Sequence, residues 1–249
     1  MLALFCLRLA TGLIASLLVL SPAILNPRFF RTHFLTALGL TAVASLFLRE
    51  TADSWLWAAL ATALSLAALG SMSWSIEGAP GGRVLMVATA SVELLALLQA
   101  GYLVRTHGEP WWQAGDDLSA AAVLGCATTA MLIGHSYLLA PAMSLTPLYR
   151  MLALLSISLA VRIAVVGTGL WLWTGTTPPP TLNSEMLLWL VVRWIIGFVG
   201  PLVLCWLAWE TARIRSTQSA TGILYVVVIL CFLGELTSQL LLETTGFAL

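Results

Sequence analysis

Residues 147–173 read PLYRMLALLSISLAVRIAVVGTGLWLW. Only Arg150 and Arg162 interrupt the apolar run, which exceeds the ~20 residues needed to cross a bilayer. It reads as a membrane helix long enough to tilt or to protrude. Seven more stretches qualify, roughly 2–25, 33–49, 54–74, 83–104, 118–140, 186–209 and 219–242. Turn residues mark the joins: Asn26-Pro27, Gly78 through Gly82, Gly108 through Gly115, Pro141, and the prolines between Thr176 and Thr181. The expected fold is therefore an all-α polytopic membrane bundle of about eight transmembrane helices. It forms a single integral-membrane domain over 1–249. No charged side chain precedes Arg8 and the small-residue cleavage pattern is poor, so the first span is expected to be a true helix and not a signal peptide.

Composition carries the same message. The chain has 249 residues, 60% hydrophobic and 9% charged, with mean hydropathy +0.97. A soluble domain carries about 25% charged residues, so an ordinary soluble enzyme is excluded. A formal net charge of zero and the lack of any basic tract exclude a nucleic-acid binder. Cys6, Cys126, Cys205 and Cys231 lie in apolar runs without metal-ligand spacing, and read as small buried hydrophobes. No metal site is expected.

Arginine placement sets the orientation. Joins after odd-numbered spans carry Arg28, Arg31, Arg83, Arg150, Arg213 and Arg215, whereas the other side carries Arg49, Arg105 and, at a helix end, Arg8. Positive residues stay in the cytoplasm, which places both termini on the extracytoplasmic side of a prokaryotic inner membrane. Trp55, Trp57, Trp111, Trp112, Trp171, Trp173 and Trp189 then cluster near the outer face. An interfacial aromatic belt explains them, with a docking surface for an extracytoplasmic partner as the sharper reading.

Four ionisable residues stand at depths where a charge costs at least about 2.5–3.5 kcal/mol: Glu93, Arg162, Arg193 and Glu235. Their depths allow Glu93 to meet Arg162 and Glu235 to meet Arg193. Such pairs either fix helix packing or line a polar pocket for protons or a quinone headgroup. His33, opening the second span, and His135 with Tyr137, closing the fifth, share one depth near the cytoplasmic end. That placement suits a quinone-binding donor. Haem b between two imidazoles is the second choice, and histidines bonded to backbone carbonyls are the plainest. Asp116-Asp117 reads as a solvated helix start, where acids favour the N-terminus. Gly197-x-x-Gly200 before Pro201 allows close helix approach or a kink. No internal repeat is visible, and no hydrolase, zincin, P-loop or dinucleotide fingerprint occurs.

Eight spans with both termini outside resemble the membrane-anchor subunits of the dimethyl sulfoxide reductase type, related to the polysulfide reductase membrane subunits. Leu233-Gly234-Glu235-Leu236 is similar to a Gly-Glu-Leu segment in their last helix, and Arg193 stands about where an Arg opens their seventh. Their His-Leu-Gly-x-Pro stretch after the second helix is replaced by Leu48-Arg49-Glu50-Thr51, and the Arg after Gly-Glu-Leu by Ser238. The resemblance implies a subunit without its own redox cofactor, exchanging electrons and protons with membrane quinone beside extracytoplasmic iron–sulfur and molybdenum subunits. Glu93 is then the counterpart of an acid used in quinol chemistry. From the residues themselves, Glu93, Glu235, Arg162 and Arg193 are the catalytic candidates, and His135, His33 and Tyr137 the quinone-binding ones. A proton- or ion-coupled transporter or channel, or a non-catalytic membrane scaffold, uses the same residues differently.

Overall fold

A computed structural model describes residues 1–76, 78–105, 109–140, 143–175 and 183–246, with Leu139 described in its backbone alone. His107 and the Thr176 to Thr181 proline run lie outside the described residues. Among the described residues eight helices follow one another: α1 (Leu2–Leu17), α2 (Pro27–Leu48), α3 (Ser54–Ser73), α4 (Gly82–Val104), α5 (Pro110–Leu139), α6 (Thr146–Thr174), α7 (Ser184–Arg213) and α8 (Thr217–Thr245). No strand occurs among the described residues. Seven of the helices, α2 to α8, are long and apolar enough to cross a membrane, and large apolar side chains such as Leu46, Val84, Leu95 and Ile157 cover their outer faces. The chain is a multi-pass membrane protein.

Local chemistry sets the helix starts. Asn26 accepts from the Arg28 N–H (2.9 Å) and Pro27 occupies the first turn, so α2 begins six residues before the expected position. Asp53 caps α3 through the Leu56 N–H (2.8 Å), and Asn183 caps α7 through Met186 (2.8 Å). Proline also opens α5 at Pro110, well before residue 118, which carries Asp116 and Asp117 into the helix and not to its start. By contrast α1 stops at Leu17, short of the expected residue 25. Its sixteen residues rise only ~24 Å, yet nearly all are buried, so protein and not lipid surrounds it.

Helix contacts form two rings. In the first, α1 packs on α2, α2 on α3, α3 on α4, and α4 back on α1. The second repeats this connectivity, with α5 on α6, α6 on α7, α7 on α8, and α8 back on α5. The rings join chiefly through α1 against α5. At that seam Gly12 and Gly125 stand backbone to backbone, and a Cβ on either would overlap the other helix. The repeat unseen in the sequence is present in the packing. Met1, Val104 and Gly246 line one pocket, so the described termini emerge at the same end of the bundle.

The expected kink before Pro201 is a π-helical segment, Val192–Val199, inside α7. Pro201 lacks an N–H and its ring crowds the carbonyl one turn back, and the widened turn lies just upstream. Gly197 then rests on Gly234 of α8.

Candidate functional site

Among the described residues seven charged side chains meet inside the bundle, six from five helices and one, Arg105, from the residue that follows α4. Arg8 of α1 donates from Nε to Asp117 Oδ1 (2.9 Å), and its Nη2 bonds Asp116 Oδ2. Arg105, just past α4, reaches Asp117 Oδ1 and the Gln113 carbonyl (3.3 Å). Arg162 of α6 forms a two-pronged pair with Glu235 of α8 (3.0 and 2.8 Å) and turns Nη1 to Asp116 and Ser119. Arg193, in the π segment, donates to Glu235 Oε1 (3.1 Å) while its guanidinium lies 4.2 Å from the Phe198 ring centroid. Arg8, Asp116, Asp117, Arg162, Arg193 and Glu235 are each at most 2% exposed. Four arginines face three carboxylates, so the cluster is formally one positive charge in excess.

This assembly corrects three expectations. Glu235 does meet Arg193, but it also takes Arg162, which does not reach Glu93. Asp116 and Asp117 are not a solvated cap; they bridge arginines of both rings. Arg8 is not an end charge but a buried centre of the network. Its position within an apolar run was the available signal, and the early start signal at Pro110 places the two aspartates likewise inside a span.

Glu93 stands apart. It is fully buried on α4, where Thr41 of α2 donates to its Oε1 (2.5 Å) and its Oε2 has no partner. Among the described residues no arginine or lysine pairs with it. Thr89, one turn away on the same face of α4, is also buried with an unpartnered hydroxyl. The same half thus carries an acid whose bonding capacity is unfilled, whereas Glu235 has every oxygen bound to arginine.

His33 and His135 do share one cavity of about 410 Å³, lined by Arg28, Phe29, Leu132, His135 and Met143 among others. His33 is fully buried: Nδ1–H donates to the Phe29 carbonyl (2.9 Å), which leaves Nε2 to accept from the Thr129 hydroxyl (3.2 Å). Thr129 in turn bonds Ser16 of α1 (2.6 Å). With both ring nitrogens engaged, His33 has none for a haem iron, and bis-imidazole ligation does not fit these residues. His135 is exposed, with Nδ1 3.5 Å from the Tyr225 hydroxyl, and so can donate to a bound group. Tyr137 is buried and spends its hydroxyl on the Ser144 carbonyl (2.7 Å). Cys6, Cys126, Cys205 and Cys231 are free and buried, as expected.

His33 and Thr41 lie on one buried face of α2, eight residues or ~12 Å apart along its axis, with Ala37 between them, also fully buried. The face joins the histidine cavity to the Thr41–Glu93 pair. Comparison with protein-family models, curated proteins and solved structures finds no match.

Proposed function

We propose that this chain is the membrane subunit of a redox complex that exchanges electrons and protons with membrane quinone, with Glu93 as its proton-handling group. The observation that carries the reading is the unfilled Glu93 carboxylate, sealed in a span and met by a hydroxyl instead of an arginine. A buried acid inside a membrane helix is costly, and its presence there points to a function. The histidine cavity, at about 410 Å³, has the size and apolar lining of a small-molecule pocket. There His135 would donate to a quinone oxygen, with Glu93 buried farther along the same face of α2. Arg162, Arg193 and Glu235 hold structure in this reading, and Tyr137 shapes the α5–α6 turn. The setting is a prokaryotic inner membrane with both termini extracytoplasmic, where redox subunits dock.

A transporter reading draws support from the two rings of like connectivity, since transporters are often built from repeats with the substrate site at the repeat interface. Here that interface is filled by the Gly12–Gly125 contact and the Arg8–aspartate pairs, which argues against a moving seam. Glu93→Gln in native membranes separates the readings. Quinol-linked electron transfer falls at least tenfold, as loss of a relay proton predicts, while the subunit still assembles. Unchanged electron transfer in that variant, or solute uptake by the isolated wild-type chain in proteoliposomes, overturns the quinone assignment.

A further inference from the structure

At the end of the bundle opposite the termini, the α3–α4 turn builds a second polar site that quinone chemistry does not use. The turn runs Gly78-Ala79-Pro80-Gly81-Gly82-Arg83, with Gly78, Ala79 and Gly81 all in the left-handed region (φ 77°, 40° and 69°). Ser73 ties it down by donating to the Pro80 carbonyl (2.8 Å). Gly81 caps α4 without a side chain and the Gly82 N–H donates to the Ala79 carbonyl (3.0 Å), so the Arg83 and Val84 N–H groups and the positive end of a 23-residue helix are left open. Beside them lies Trp74, 5% exposed and stacked on Phe30 at 4.4 Å, whose indole Nε1–H has no partner. The indole presses on the helix start: a methyl on Gly82 would sit 2.7 Å from Cζ2 and 3.2 Å from Nε1. Trp74, Gly82 and Arg83 line a cavity of about 410 Å³. An adjoining one of about 350 Å³ shares Arg83 and adds Arg150 of α6. No acidic residue lines either among the described residues.

We propose that this turn binds the phosphate of an anionic phospholipid, held by the α4 N-terminus, the Trp74 indole N–H and Arg83, with Arg150 facing the rest of the headgroup. Helix N-termini and arginines are natural phosphate partners. The surroundings favour a lipid over free phosphate. Val84 and Val87 beside the cavities are exposed on the lipid-facing side of α4, and Leu17, Leu18 and Val19 wall the second cavity, so an acyl chain can follow the phosphate. Net-neutral choline lipids present the same phosphate but add a cation facing two arginines.

The test uses the purified full chain, mixed with phosphatidylglycerol or phosphatidylcholine and read by native mass spectrometry. Wild type is expected to retain phosphatidylglycerol over phosphatidylcholine. Trp74→Phe, which keeps the ring and removes the N–H, and Gly82→Ala, which fills the cradle, should each cut that retention about tenfold, the scale of one charge-assisted hydrogen bond. Arg83→Gln, at an exposed position, should do the same with unchanged melting and so guards against misfolding of the other two. Equal retention of both lipids by wild type, or undiminished phosphatidylglycerol retention in Arg83→Gln and Trp74→Phe, overturns the site. Displacement of the lipid by equimolar inorganic phosphate overturns the lipid and leaves a phosphate site.

Discussion

Glu93 and Glu235, on the last helices of the two rings, have opposite surroundings. Glu235 accepts from Arg162 and Arg193 and lies 3.8 Å from Arg8; Glu93 has one hydroxyl donor and a free oxygen. A carboxylate enclosed by guanidinium groups is a structural anion. Glu235→Gln leaves three buried arginines short of a counter-charge, and breaking a buried pair from one side costs about 3–5 kcal/mol. The expected outcome is a variant that melts far below wild type in detergent, whereas Glu93→Gln melts close to it. Equal melting points would show that Glu235 is not structural. Burial within an apolar run was legible in the sequence for Glu93, Arg162, Arg193 and Glu235, each at most 1% exposed, but not for Asp116 and Asp117, which are buried as deeply. The pairing of those four was not, because depth does not fix the angle at which a side chain leaves its helix; that angle sends Arg162 to α8 and leaves Glu93 to Thr41.

Helices were recognisable as elements because each apolar run is bounded by proline, glycine or a capping side chain. Their ends were less so. Proline at the first helical position extended α2 and α5 beyond their apolar cores, which carries Asp116 and Asp117 onto α5, where Arg8, Arg105 and Arg162 enclose them. The π segment of α7 was foreshadowed by Gly197, Gly200 and Pro201, but its purpose appears only in packing: Gly197 lets α7 and α8 touch at Gly234, which brings Arg193 to Glu235. A methyl at Gly197 would lie 2.9 Å from the Gly234 Cα and 3.4 Å from Arg193 Nη1. Backbone cannot yield as a side chain does, so Gly197→Ala forces the helices apart at about 1–3 kcal/mol, the usual range for overpacking. Gly39, with open space around its Cβ position, supplies the control: Gly39→Ala should melt at or slightly above wild type, and Gly197→Ala several degrees below it. Coincident melting of the two would remove the packing role from the α7–α8 contact.

The whole molecule is two four-helix rings held along α1 and α5, and the charged cluster is what crosses between them. Arg8 and Arg105 come from the first ring; Asp116, Asp117, Arg162, Arg193 and Glu235 come from the second. A sequence scan could not show this, since the rings repeat in connectivity and not in residues. The charge count makes the junction testable. With four arginines against three carboxylates, Arg8→Gln brings the cluster to formal neutrality, and Arg105 and Arg162 still hold the two aspartates. Asp117→Asn moves the count the other way, to two positive charges in excess, and leaves Arg8 and Arg105 sharing a neutral amide oxygen in place of a carboxylate. Arg8→Gln gives up hydrogen bonds at the seam, but only Asp117→Asn adds uncompensated repulsion in a medium that screens it poorly. Asp117→Asn is therefore expected to lose the larger stability, about 3–5 kcal/mol, and Arg8→Gln distinctly less, measured by reversible unfolding in mixed micelles. The reverse order would mean that the hydrogen bonds of Arg8, and not the balance of charge across the seam, hold the two rings together.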